Sequence, residues 1–245
     1  MKHLLSSLCA LLAATLALEA QDAASILKNI DRNLSADTRI IEYSMIVQGK
    51  RNNRTMTAKS YTEGDTKSYT EYFSPAREQG TKMLKIGKEM WIYAPSTDRT
   101  IMISGHMLRQ SMMGSDLSYE DMMEDRPLAD RYEAEVLGSE THEGRDCWLL
   151  SLKAKTDDVT YPSQKIWVDK QRGVPLQQEL YAKSGQMLKK VNLSGIEQVE
   201  GRWFPMKMRY KDMLKDGEGT DWIVSKISFN KTVPEHIFSK ANLKK

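Results

Sequence analysis

From Ile40 to Phe229 the chain is a succession of short segments in which apolar and polar residues alternate, each closed by glycine, asparagine, aspartate or proline. A period of two is the signature of strands with one face buried and one wet. Connections this short join antiparallel neighbours, since a parallel pairing needs a crossover of about a dozen residues or more. The expected strands are 39–49, 54–63, 66–73, 81–86, 89–94 and 99–103, then 132–139, 145–155, 164–169, 176–183, 187–199, 203–214 and 221–230. A sheet of that width accumulates twist and curls, so it acquires a concave face that something must cover.

Alternation is clearest where Met206, Met208 and Tyr210 are interleaved with Lys207, Arg209 and Lys211. Trp91 and Tyr93 instead alternate with Met90 and Ile92, which predicts a strand covered on both faces. Two elements are available as covers. Residues 22–34 place Ile26, Leu27, Ile30 and Leu34 at helical spacing behind an acidic start. The other is the single long interruption of the strand pattern, Met102 to Met123, which carries six methionines.

Within the interruption the spacing predicts one short helix ended by Gly114 and a second with Ser118 as its N-cap, Asp121 three residues on and Pro127 as its stop. Unbranched, polarizable methionine suits a surface that repacks around guests of different shape. Its acidic residues Glu120, Asp121, Glu124 and Asp125 lack the spacing and glycine of a calcium loop and are expected on a solvated helix face.

The first twenty residues have a basic start at Lys2, an apolar run from Leu4 to Leu18 and a small residue at Ala20, the pattern of a secretory signal peptide. Residues 21–245 are then expected to be a single exported domain, since one all-β unit can reach about 200 to 250 residues. Cys9 falls inside the apolar run without the small preceding residue of a lipid-attachment site; Cys147 is expected as a buried, unpaired thiol. The formal net charge of +3 is spread along the chain, so no basic stripe invites nucleic acid.

Catalytic signatures are sparse. The chain contains no Gly-x-Ser-x-Gly elbow, His-Glu-x-x-His pair, phosphate loop or Cys-x-x-Cys pair. His106, His142 and His236 sit in distant segments, so neither a metal site nor a cofactor is expected. Ser104 or Ser115 with His106 is the nearest approach to a hydrolytic pair, and no third group orients it. Binding is therefore the expected activity, not catalysis.

Three ordered motifs carry a family resemblance. The run from Tyr72 to Leu84 (Tyr-Phe-Ser-Pro-Ala-Arg-Glu-Gln-Gly-Thr-Lys-Met-Leu), the segment Met90-Trp91-Ile92-Tyr93-Ala94-Pro95, and Met113-Gly114-Ser115-Asp116-Leu117-Ser118-Tyr119-Glu120-Asp121 resemble the LolA-like outer-membrane lipoprotein-sorting proteins, closest to a poorly characterised branch. The resemblance implies an incomplete β-barrel with an N-terminal helix and a helical lid. It also implies a periplasmic carrier that takes the acyl chains of lipoproteins or related lipids from an inner-membrane exporter toward an outer-membrane acceptor. A lipid- or protein-sensing module on the same fold, or an accessory of a lipid exporter, is the alternative.

For such a cavity the expected lining on the sheet is Phe73, Met83, Trp91, Tyr93, Met206, Met208 and Tyr210. The interruption is expected to add Met102, Met107, Leu108, Met112 and Met113. By the resemblance an arginine holds the lid shut, with Arg77 and Arg109 as candidates.

Overall fold

The computed structural model describes residues 23–244; the expected signal segment and Cys9 lie outside the described residues. Thirteen strands form one antiparallel sheet in the order β6-β5-β4-β3-β2-β1-β13-β12-β11-β10-β9-β8-β7. The first half comprises β1 (Thr38–Val47), β2 (Arg54–Glu63), β3 (Lys67–Ser74), β4 (Lys82–Ile86), β5 (Glu89–Ala94) and β6 (Arg99–Ile103). The second comprises β7 (Tyr132–His142), β8 (Arg145–Ala154), β9 (Ser163–Asp169), β10 (Val174–Tyr181), β11 (Met187–Val199), β12 (Arg202–Asp212) and β13 (Thr220–Phe229). Every strand read from the alternation is present, with ends displaced by at most a few residues.

The order departs from a single meander in one respect. Two meanders are joined through their outer ends, β1 pairing with β13 in a register that sets Met45 opposite Trp222. The free edges are therefore β6 and β7, and the methionine-rich interruption is the connection that runs between them. It passes across the hollow side, burying Met112 and Leu117 against Tyr43, Met45 and Tyr72 of the sheet, and so forms a lid.

Helix α1, residues 23–34, covers the β7–β10 half of the concave face with Leu27 and Ile30 against Leu150, Leu152, Ile166 and Val168. Asn33 fixes its end, donating to the carbonyls of Arg172 and Gly173 at 3.0 Å and accepting from Trp203 N–H at 3.1 Å. Gly173 has a φ of +66°, which favours glycine, and a Cβ there would press on the Asn29 side chain at 3.2 Å. The interruption covers the β1–β6 half, but not as two α-helices. It consists of 3-10 turns at Gly105–Arg109, Met112–Gly114 and Asp121–Met123, followed by the single-turn helix α2 (Leu128–Arg131). Met113 at φ +50° breaks the helical run, and Ser111 and Ser118 bridge instead.

The chain after β13 takes up the outer face of β3–β5, where Val233, Phe238 and Leu243 pack on Tyr69, Leu84 and Trp91. Cys147 is buried and unpaired, and burial pushes its thiol up to about 11. Among the described residues no helix is long and apolar enough to cross a membrane.

Candidate functional site: a lidded cavity

Between the two covers the concave face is not filled. A cavity of about 330 Å³ remains, walled by Ile41 and Tyr43 of β1, Leu180 of β10, Val191 of β11, Phe204, Met208 and Tyr210 of β12, and Trp222 of β13. Its roof is the interruption, through Leu117, Met122 and Leu128. Tyr43 and Trp222 stack in its wall, ring centroids 3.9 Å apart. Glu124 and Thr160 also line a second hollow of about 540 Å³, bounded by the turns at Asp65–Thr66 and Gly87–Lys88 and by Leu108 and Met123 of the lid. The two hollows share Glu124 and Thr160 in their walls.

The lid lies on the softest part of the sheet. Met45, Met56, Met83, Met90 and Met112 are buried in one cluster, and Met107, Met113, Met122 and Met123 pack against it. The Tyr72 hydroxyl reaches the sulfurs of Met83 and Met112 at 3.7 and 3.9 Å.

Charge holds the lid down. Two of the four acidic residues expected on a solvated face, Asp121 and Asp125, are instead its anchors. Asp125 accepts from Arg39 Nη2 at 2.7 Å and from Lys85 Nζ at 2.8 Å; Lys85, on β4, is only 1 % exposed. Asp121 accepts from the buried Lys189 of β11 and, at 2.6 Å, from the Tyr161 hydroxyl. Burial and the Asp121 carboxylate push that phenol well above its ordinary range. The expected capping pair does form, Ser118 N–H donating to Asp121 at 2.6 Å and Asp121 N–H to Ser118 Oγ at 3.2 Å. Charge runs on a loop are usually solvated, but here the sheet places cations at core-facing positions that an acid must satisfy.

Several residues of the Met113–Asp121 motif hold the lid in place. Ser115 Oγ donates to Met112 O at 2.7 Å, closing the turn. Asp116 accepts from Thr220 Oγ1 at 2.8 Å and from Asp212 N–H at 3.0 Å, tying the lid to β12 and β13. Arg54 donates to the Met113 carbonyl from the β2 side.

The expected lining residues divide between the two faces. Met208 and Tyr210 line the cavity; Met83, Met107, Leu108, Met112 and Met113 lie in the methionine cluster beside it. Met206 packs in the adjoining cluster with Phe204 and Phe229. Trp91 and Tyr93 lie on the outer face under the C-terminal segment, since Met90 and Ile92 take the inner phase of β5. Phe73 (49 % exposed) and Met102 (45 % exposed) also fall on the outer phase, next to inward Tyr72 and Ile103. The arginines that reach the lid are Arg39 and Arg54. Arg77 has an 88 % exposed side chain with only Glu78 nearby, at 4.0 Å, and Arg109 is exposed at the end of a turn. The signal that marks the true contacts was available in principle: Arg39, Lys85 and Lys189 are cations in the apolar phase of their strands, two residues from Ile41, Met83 and Val191.

For the hydrolytic pair, Ser115 is buried with its hydroxyl committed to the backbone of Met112 and Leu117, and His106 is exposed. Among the described residues no three of His, Cys, Asp and Glu gather as metal ligands.

A family model described as an uncharacterized protein matches residues 64–245. Three crystal structures share the fold over the full length of their chains. An outer membrane lipoprotein-sorting protein domain from Vibrio parahaemolyticus is 23 % identical with a TM-score of 0.80, covering 92 % of this chain and 100 % of its own. A DUF1329 family protein from Desulfovibrio piger is 25 % identical at a TM-score of 0.82, covering 92 % of this chain and 99 % of its own. A LolA superfamily protein from Nitrosomonas europaea is 23 % identical at 0.75, covering 90 % and 98 %. The chain belongs to the family that the matching family model describes, and its fold is that of the LolA-like structures. No functionally curated protein matches it. Within that LolA-like fold this chain's own residues build a cation–acid latch between sheet and lid.

Proposed function

We propose that this LolA-like protein is a periplasmic carrier which binds acyl chains of lipoproteins or related lipids in the lidded cavity and passes them toward the outer membrane, without catalysis. The observation that carries the reading is an unfilled, largely apolar hollow beside a methionine cluster, under a segment tied to both sheet edges. Each methylene removed from water contributes about 0.8 kcal/mol, so a sixteen-carbon chain gains on the order of 12 kcal/mol from an apolar groove. That is enough to hold cargo in transit, and too much for release unless something competes. The lid competes, because Met107, Leu108, Met112 and Met113 occupy the same apolar surface that an acyl chain would use.

A volume of about 330 Å³ is at the small end of ligand cavities, which run from about 300 to 1,000 Å³. Entry of a whole acyl chain therefore requires the lid to move. Residues 1–20, read as a signal peptide, supply the route to the periplasm, and the exporter and acceptor on either side are the partners a carrier of this kind needs. Native mass spectrometry of protein extracted from its own cell envelope tests the reading: bound acyl lipid is the expected result, and a lipid-free protein that also fails to take up lipid from micelles would overturn it. Amide exchange across residues 104–125 should rise on loading; protection unchanged by cargo would remove the lid from the mechanism.

A further inference from the structure

The cations beneath the lid have a consequence for the kind of cargo. Arg39 shares the inner phase of β1 with Ile41 and Tyr43, Lys85 that of β4 with Met83, and Lys189 that of β11 with Val191. All three stand on the sheet, which stays in place. The carboxylates that satisfy them, Asp125 and Asp121, stand on the segment that moves. Opening for a neutral guest would strip buried cations of their counter-charges, which a desolvated site resists strongly.

Glu124 does not share this dependence. Its partners Arg126, at 2.7 Å, and Arg131, at 3.8 Å, stand just after it in the chain and not on the strands beneath the lid. The remaining contacts of the sheet cations are fixed and few. Lys85 Nζ also donates to the Asp65 carbonyl at 2.7 Å, and Arg39 Nη1 to the Leu34 carbonyl at 3.3 Å. Arg39 Nε is buried with no hydrogen-bond partner, and Arg39 lines the cavity. A carboxylate with two oxygens, such as Asp125, leaves that donor unused; a phosphate has a further oxygen to offer it.

We propose that Arg39, Lys85 and Lys189 form an anion subsite of the cavity, occupied by Asp125 and Asp121 when the lid is shut and by the phosphate or carboxylate of an acyl amphiphile when it opens. The lid acids are then internal stand-ins for the head group. The proposal rests on the acyl-binding reading above and narrows its cargo to anionic amphiphiles.

Calorimetric titration of the full delipidated protein with two lipids of identical tails, dipalmitoyl phosphatidic acid and dipalmitoylglycerol, in the same detergent, tests it. Phosphatidic acid should bind at least tenfold more tightly. D125N should raise its affinity a further several-fold while leaving dipalmitoylglycerol unchanged. K85M/D125N removes the Lys85–Asp125 pair and leaves Arg39 an amide oxygen to donate to, so it should keep the fold and bring the two lipids closer together. Equal affinities in the unaltered protein would overturn the subsite and leave acyl binding standing, whereas failure of both lipids to bind would overturn both readings. Inorganic phosphate binding as tightly as phosphatidic acid would overturn the amphiphile and leave a site for free anions.

Discussion

The two halves of the concave face are covered in opposite ways. Under α1 the buried cluster is leucine, isoleucine, valine and Tyr132, with no methionine among them. Under the lid, nine of the chain's fifteen methionines meet in one cluster. Branched side chains have few rotamers and fix a single packing, whereas methionine fills a gap in many ways at similar energy. The polar ties differ in the same sense. Helix α1 is tied by hydrogen bonds between its side chains and backbone groups and from Arg202 to carbonyls at its end, with no ion pair among the described residues. The lid is tied by ion pairs from Asp121 and Asp125 to cations sunk in the sheet. One half is built to stay closed, and the other to exchange one set of partners for another.

The sharpest way to break this contrast is Asp125→Ala. It leaves Lys85 and Arg39 without their shared acid, and losing one partner of a buried pair costs about 3–5 kcal/mol. Denaturant unfolding should register that loss, and amide exchange should place the opening in residues 104–125; a loss spread evenly over the sheet would refute the latch. Next in size is a paired truncation of two fully buried residues. Ile30→Ala should cost about 2–5 kcal/mol, and Met112→Ala should cost clearly less because the methionines around it can close the gap. Equal costs would erase the distinction between the halves.

A smaller effect is expected where the halves touch. Asp31 of α1 accepts from the N–H groups of Leu128 and Ala129 at 2.7 and 2.9 Å, capping α2 across the cavity roof. Asp31→Ala should cost about 1 kcal/mol, the usual worth of a cap, and should loosen α2 first. The smallest concerns pH. Arg209 grips Asp221 through two hydrogen bonds of 2.7 and 2.8 Å and, with Gln48, holds its carboxyl below the usual range although burial opposes this. A depressed folded value means stability present above the unfolded-state pKa, near 3.9, and lost as pH falls through the folded one. Thermal melts should therefore fall at acid pH, with a shallower slope in Asp221→Asn; identical slopes would show that the pair contributes nothing.

Alternation made nearly all of the fold legible. The boundaries of β2, β5, β6 and β11 are those the residues suggested, because turn chemistry and a period of two are local properties. The candidate site was legible only in part. Met208 and Tyr210 line the cavity, whereas Trp91, Tyr93, Phe73 and Met102, also expected in the lining, lie on the outer phase beside inward neighbours. An alternating strand has two apolar options when both faces are covered, and the cover on the outer face comes from residues 233–243, far along the chain.

What the sequence alone determined is the set of strands, the helix at residues 23–34 and the position of the soft interruption, all set by the spacing of side chains within a few residues. The tertiary structure decided which face is inside, that β1 closes on β13 so the interruption must bridge the open edges, and that an acidic run reads as a latch rather than a solvated face. Those outcomes depend on which distant cation each acid meets, and burial gives such a meeting its strength only after the chain has folded.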